Sequence, residues 1–153
     1  MNKGEMLHKM LITMINAHAG QFDKGGQPYA LHPLKVMHYL KSDDEELNCI
    51  ALGHDLFEDT KVTKDDMRRK RISERVIDGI WCMTKLPGET ADDYKRRVMS
   101  NKDSIRVKMA DLRHNSDIRW LKGVTDKDVA RTVKYMHFYE ELKQALKDME
   151  PVF

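Results

Sequence analysis

The sequence predicts an all-α protein, a single-domain bundle of seven or eight helices spanning residues 1–153. Three observations predict it. Apolar residues recur at helical spacing along nearly the whole chain, residues that cap helices stand ahead of most of those stripes, and the one alternating run, Ile105, Val107 and Met109, has no second strand to pair with. At 153 residues with 41% hydrophobic composition, the chain can bury one core and is short for two.

Each element follows in order. Met6, Leu7, Met10, Leu11, Met14 and Ile15 form the stripe of a first helix from Glu5 to Ala19, with Gly20 as its stop. Gly25, Gly26, Pro28 and Pro33 make residues 21–33 an ordered turn, which leads into a short helix carrying Leu34, Val36, Met37 and Leu40 with proline in its first turn. Asp43 or Asp44 caps the next helix, whose apolar residues Leu47, Ile50, Ala51, Leu56 and Phe57 run to about Asp59. Thr63 and Ser73 each precede a short helical pattern. Thr90 precedes the Tyr94, Val98 and Met99 stripe, and Ile105 to Leu121 has helical period. Thr125, with Asp128 three residues on, forms a loose capping box for a last helix to about Met149.

Composition excludes several functions. Twenty-seven Lys and Arg against 25 Asp and Glu leave +2, which does not advertise a nucleic-acid partner. The apolar stretch Met10 to Ile15 is far shorter than the roughly 20 residues a bilayer needs, so no membrane is expected and the cytoplasm is. Cys49 and Cys82 form no CxxC, which argues against both a disulfide framework and a zinc knuckle and fits a reducing compartment.

The chemistry concentrates at His54-Asp55, with Glu58 and Asp59 at the spacings that return side chains to one helix face. The plain alternative is a helix end with solvated charges. Against it, Leu52, Leu56 and Phe57 flank the group, and burying such carboxylates is costly unless a cation pairs with them. His32, held at a helix start by Pro33, and Asp111, after a mostly apolar run, complete a set of two imidazoles and two carboxylates. That mixed set suits a divalent transition ion, manganese, iron or zinc, better than magnesium or calcium. Such a centre lowers the pKa of bound water and holds a phosphoryl oxygen, leaving Glu58 and Asp59 for proton transfer or for orienting water.

Five blocks stand in order: Ala17-His18-Ala19-Gly20-Gln21, Pro28-Tyr29-Ala30-Leu31-His32-Pro33-Leu34, His54-Asp55-Leu56-Phe57-Glu58-Asp59-Thr60, Met83-Thr84-Lys85-Leu86, and Lys108-Met109-Ala110-Asp111-Leu112-Arg113-His114-Asn115. In this order and spacing, over about residues 5 to 121, the chain resembles the HD-superfamily hydrolase domain of the RelA/SpoT alarmone enzymes, particularly the stand-alone small alarmone hydrolases. The resemblance implies metal ligands, usually occupied by manganese, at His32, His54, Asp55 and Asp111, and a catalytic pair at Glu58 and Asp59. Asn115 matches an asparagine that lines the nucleotide pocket. The activity implied is removal of the 3′-pyrophosphate from ppGpp or pppGpp, giving GDP or GTP and pyrophosphate. Lys24, Lys108 and Arg113 are candidates for neutralising phosphate charge in such a substrate. One departure bears on the base. Where the long Rel enzymes carry an arginine that stacks on guanine, this chain has Asp23 ahead of Lys24, so an adenine alarmone remains open.

The remaining residues carry weaker signals. His18 reads either as a support to the site or as a satisfied core histidine, and His114 either faces the pocket or does not. The cluster Arg68-Arg69-Lys70-Arg71 with Arg75 reads as a solvated face among Asp65, Asp66 and Glu74. Trp81 and Tyr94 read as core. Val133, Met136, His137 and Leu142, with Phe138 and Tyr139, read as a packing face for the domain or for a second copy of the chain, making a homodimer the candidate assembly. Two other functions compete with the alarmone hydrolase: an HD-type phosphatase of nucleoside monophosphates, which fits the motif spacing less well, and a non-catalytic nucleotide-sensing module, which has no need of Glu58 and Asp59.

Overall fold

The computed structural model describes residues 1–151, which form α1 (Glu5–Ala17), α2 (Leu31–Leu40), α3 (Glu45–Gly53), α4 (Leu56–Asp59), α5 (Lys64–Arg69), α6 (Glu74–Cys82), α7 (Ala91–Met99), α8 (Lys102–Asn115) and α9 (Asp126–Asp148). The all-α expectation holds. The single helix expected from Asp44 to Asp59 is divided into α3 and the one-turn α4, the two together making one of eight. No strand forms among the described residues, and Ile105, Val107 and Met109 lie within α8.

The caps explain most boundaries. The side chains of Asp44, Ser73, Thr90 and Asn101 each accept a hydrogen bond from the backbone N–H three residues on, and Thr63 and Thr125 form reciprocal capping boxes with Asp66 and Asp128. Two ends differ from the sequence reading. α1 stops at Ala17, before Gly20 turns the chain at φ +83°, and α8 stops at Asn115, after which Ile118–Trp120 forms a 3₁₀ turn capped by Asp117.

The core is divided by α8. On one side, Met10 and Met14 of α1, Val36 of α2, Leu47, Ile50 and Leu52 of α3 and Ile77 and Ile80 of α6 pack against Val107 and Ala110. On the other, Tyr94 and Val98 of α7 and Phe138 and Leu142 of α9 pack against Ile105 and Leu112. Gly79 is what lets α6 approach α3: a Cβ there would lie 2.5 Å from Ile50 Cδ1.

Several surface readings resolve here. Arg68 pairs with Asp65 and Glu74, Arg69 with Asp66, and Arg75 with Asp44, Glu46 and Asp103, so three of the five basic residues of this cluster are engaged by acidic neighbours. Trp81 is a boundary residue and not core, its ring covered by the Lys64 ammonium at 3.8 Å. Tyr94 is core, with its hydroxyl donating to the Met83 carbonyl. On α9, Phe138 and Leu142 are buried, while Val133 and Met136 stay exposed. No helix among the described residues is long and apolar enough to cross a membrane.

Candidate metal centre

Four chain segments meet where α2, α3 and α4 abut α8. Pro33 fixes the first turn of α2 and buries His32. His54 closes α3 and Asp55 opens α4 with φ −103° and ψ 0°, a bridge conformation that interrupts the helix between them. Asp111 is buried on α8 between the two halves of the core.

The structure brings His32, His54, Asp55 and Asp111 together. His32 Nε2 is 2.8 Å from Asp111 Oδ1, and His54 Nε2 is 3.4 Å from the same oxygen and 3.0 Å from Asp55 Oδ2. One ligand atom from each of His32, His54 and Asp55 lies within 4.8 Å of the others. His54 Nδ1 sits 2.7 Å from the Ala51 carbonyl, which can only accept, so the ring proton belongs on Nδ1 and a neutral ring offers a bare Nε2. That Nε2 is buried and, despite its short contacts, lacks the alignment of a hydrogen bond. An orphaned imidazole nitrogen facing two carboxylates is a donor set that fits a divalent metal ion.

The polar surroundings hold the carboxylates. The Tyr29 hydroxyl donates to Asp55 Oδ2, Lys108 Nζ lies 2.9 Å from Asp111 Oδ2, and Asn115 Nδ2 donates to Asp111 Oδ1 at 3.1 Å. Burial works to raise the Asp55 pKa, but in the metal-free chain the positive charge of a protonated His54 outweighs it and holds the carboxyl at about 2. Burial likewise opposes ionisation of Asp111, and the Lys108 ammonium overcomes it, keeping Asp111 well below the usual carboxylate range. Tyr29 is pushed far up, by burial first and then by Asp55, so it remains a donor.

Glu58 and Asp59 stand at the exposed rim. Carboxylate oxygens of Asp55, Glu58 and Asp59 lie within 4.8 Å of one another, and Glu58 accepts from the Lys85 backbone N–H at 2.7 Å. Partial burial, then the charges of Asp55 and Glu58, push Asp59 up to about 6. From this rim a cavity of about 520 Å³ runs between α7, α8 and α9, lined by His54, Asp55 and Glu58 together with Lys85, Lys95, Lys108 and Lys134. Tyr94, Tyr135 and Phe138 form its apolar walls.

The other expected residues divide. Asn115 and Lys24 line a second cavity of about 240 Å³ with Asp23, Tyr29, Trp120 and Tyr135, and Tyr135 is common to both cavities. Lys108 lies at the centre, on Asp111. Arg113 is not brought in. Two positions beyond Asp111 on a helix points it away, and its guanidinium sits 5.0 Å over the Tyr39 ring in a separate depression. His114 does face the cluster, with Nδ1 2.6 Å from His32 Nδ1, and His18 is buried with Nδ1 2.8 Å from Gln21 Oε1. Reading by sequence missed Tyr29 as a partner of Asp55, and it missed Lys134 and Tyr135. The α9 stripe signalled packing through Phe138 and Leu142 but gave no sign that the turn before them walls a cavity.

No protein-family model matches the chain. Curated proteins do. It is 32% identical over 123 residues to the bifunctional (p)ppGpp synthase/hydrolase SpoT of Escherichia coli, an alignment covering 71% of this chain and 17% of that protein. It is 28% identical over 143 residues to a GTP pyrophosphokinase of Myxococcus xanthus, covering 83% of this chain and 18% of that one. The chain thus spans less than a fifth of the length of these relatives. Among solved structures, a metazoan ortholog of SpoT described as hydrolysing ppGpp superposes with a TM-score of 0.75 at 19% identity, covering 97% of this chain and 95% of that one. The chain is therefore homologous to one region of the SpoT/RelA enzymes and shares the fold of their metazoan ortholog.

Proposed function

We propose that this chain is a metal-dependent 3′-pyrophosphohydrolase of (p)ppGpp or a closely related alarmone, with residues 1–153 acting as a single HD-type hydrolase domain in the cytoplasm. The observation that carries the reading is one juxtaposition: a His/Asp cluster with a buried, unpartnered imidazole nitrogen, an acidic pair at its rim, and a lysine-lined cavity opening from that rim. The similarity to enzymes named for (p)ppGpp hydrolysis supports the substrate class.

In this reading His32, His54, Asp55 and Asp111 hold one divalent ion, with manganese the proposed occupant and iron or zinc the other candidates. When bound, the ion polarises a phosphoryl oxygen and makes water a better nucleophile near neutral pH. The chain's own residues do the rest. Glu58, fixed by the Lys85 backbone N–H, orients the attacking water. Asp59, with a pKa of about 6, is poised both to take the water's proton and to return one to the departing 3′ oxygen. The water oxygen bonds to the phosphorus attached to that 3′ oxygen, the 3′ O–P bond breaks, and pyrophosphate leaves. Lys85, Lys95, Lys108 and Lys134 neutralise phosphate charge along the cavity, and Lys24 and Asn115 meet the nucleoside end.

The test is a product assay with purified protein and Mn²⁺ on ppGpp, its adenine counterpart and nucleoside monophosphates, separating pyrophosphate from orthophosphate. Pyrophosphate from a tetraphosphate substrate is expected. Orthophosphate from monophosphates alone refutes the reading in favour of a nucleotidase, and metal binding without turnover refutes it in favour of a sensor.

A further inference from the structure

We infer that His114 is a positioning residue that fixes which nitrogen of His32 faces the metal site. The inference rests on the metal-site reading above. The two rings meet edge to edge and nearly coplanar, with centroids 4.9 Å apart and 26° between planes, and their Nδ1 atoms approach to 2.6 Å along the line between them. Two imidazole nitrogens at that distance share one proton, so one donates and the other accepts.

The choice between them decides whether His32 can be a ligand. Its other nitrogen, Nε2, lies 2.8 Å from Asp111 Oδ1. If the proton sits on His32 Nε2, it is donated to Asp111 and the nitrogen is closed to a metal. If the proton sits on Nδ1, it is donated to His114 and Nε2 is bare. Asp111, a buried carboxylate, favours the closed arrangement, so the open one needs an acceptor on the far side of the ring. His114 Nδ1 is the acceptor at that place. The Ala51 carbonyl performs the same service for His54, at 2.7 Å from its Nδ1.

The fold holds His114 in that position. It stands three residues after Asp111 on α8, so both face α2. Its ring lies between His32 and the Trp120 indole, 6.1 Å away and inclined by 22°, and the Trp120 Nε1–H donates to the His114 carbonyl at 3.2 Å. With Nδ1 accepting, the proton of His114 sits on its own Nε2.

Two substitutions in the full chain separate the acceptor from the ring. His114→Phe keeps a planar ring but has no acceptor, whereas His114→Asn places an amide oxygen near the position of Nδ1. Mn²⁺ affinity, read from the electron paramagnetic resonance of the free ion, is expected to fall about 10–100-fold in His114→Phe and to stay within about threefold of the parent in His114→Asn, the range typical of supports to metal-bound histidines. Equal affinity in His114→Phe and parent overturns the role of His114, as does an equal loss in both variants. A parent that binds no Mn²⁺ overturns the metal reading itself. A measurement on the unsubstituted protein guards against misfolding of the variants. In the Zn²⁺-loaded chain, long-range ¹H–¹⁵N couplings should show His32 protonated on Nδ1 and His114 on Nε2, and the reverse assignment refutes the inference.

Discussion

Leu142→Ala tests whether α9 is a separable wall of the active site. Leu142 is fully buried, and with Phe138 it anchors the 23-residue α9 to α7 and α8, packing among Tyr94, Val98, Ile105 and Leu112. A leucine-to-alanine change at such a position costs about 2–5 kcal/mol, from lost burial and the cavity left behind. Taking about 3 kcal/mol, and an unfolding entropy of about 2.1 cal/mol/K per residue, the melting temperature should fall by about 9 °C. The functional effect should be uneven. His32, His54, Asp55 and Asp111 stand on α2, the α3–α4 joint and α8, whereas Lys134, Tyr135 and Phe138 line the cavity from α9. Mn²⁺ affinity should therefore stay unchanged while KM for ppGpp rises, measured by calorimetry, metal titration and steady-state kinetics on one preparation. A drop of less than about 2 °C, well under what a buried leucine should cost, or a loss of Mn²⁺ affinity at unchanged KM, refutes the division of labour between α9 and the metal cluster.

Other outcomes follow from the same geometry. Asp55→Ala should abolish both metal content and activity, whereas Glu58→Ala should keep the metal and lose about 10²–10⁴-fold in kcat, the usual weight of a positioned acid–base group; near-normal turnover of Glu58→Ala at saturating Mn²⁺ refutes its role. Asp59 must be ionised to accept a proton, and its carboxyl is pushed up to about 6 before a bound divalent ion lowers it again, so kcat/KM should rise with pH up to a limit at or below about 6, and a profile that falls between about pH 4 and 6 contradicts the assignment. In the metal-free protein, carboxyl ¹³C titration of Asp59 should show that Glu58→Gln moves its midpoint down, since one neighbouring negative charge is removed. Asp23→Arg should shift the ppGpp-to-adenine rate ratio if the small cavity beside Asp23, Lys24 and Trp120 holds the base, and an unchanged ratio places the base elsewhere.

Much of this was legible in the chain because the signals were local. Thr63 with Asp66 and Thr125 with Asp128 are capping boxes written within four residues, and the helices start where they say. The five motif blocks likewise carried His32, His54, Asp55, Glu58, Asp59 and Asp111 in order. What stayed hidden depended on distance or direction. Tyr29 meets Asp55 across 26 positions, and Lys134 reaches a cavity whose other walls come from α7 and α8. Arg113 was misjudged for a simpler reason. It is close to Asp111 in sequence, but two positions on a helix turn a side chain by about 200°, and it faces Tyr39 instead.

The break between α3 and α4 shows why His54 and Asp55 can serve one centre although they are neighbours. On an unbroken helix adjacent side chains diverge by about 100°, so one of the pair would face the core and the other would not. Here the bridge-region backbone of Asp55 ends α3 and starts α4 afresh. The result is that His54 Nε2 and Asp55 Oδ2 come within 3.0 Å, while His54 Nε2 stays 3.4 Å from Asp111. Beyond the restart, ordinary helical spacing acts: Glu58 and Asp59 follow Asp55 by three and four positions in the turn it opens, with all three carboxylates within 4.8 Å of one another. Three like charges this close repel, and the raised pKa of Asp59 records part of that cost. A continuous helix through residues 45–59 would keep Asp55, Glu58 and Asp59 on one face but turn Asp55 about 100° away from His54. The interruption is thus the local feature on which the convergence of His54 and Asp55 depends, and the apolar anchors on either side of it, Leu52 and Leu56, both fully buried, hold it in place.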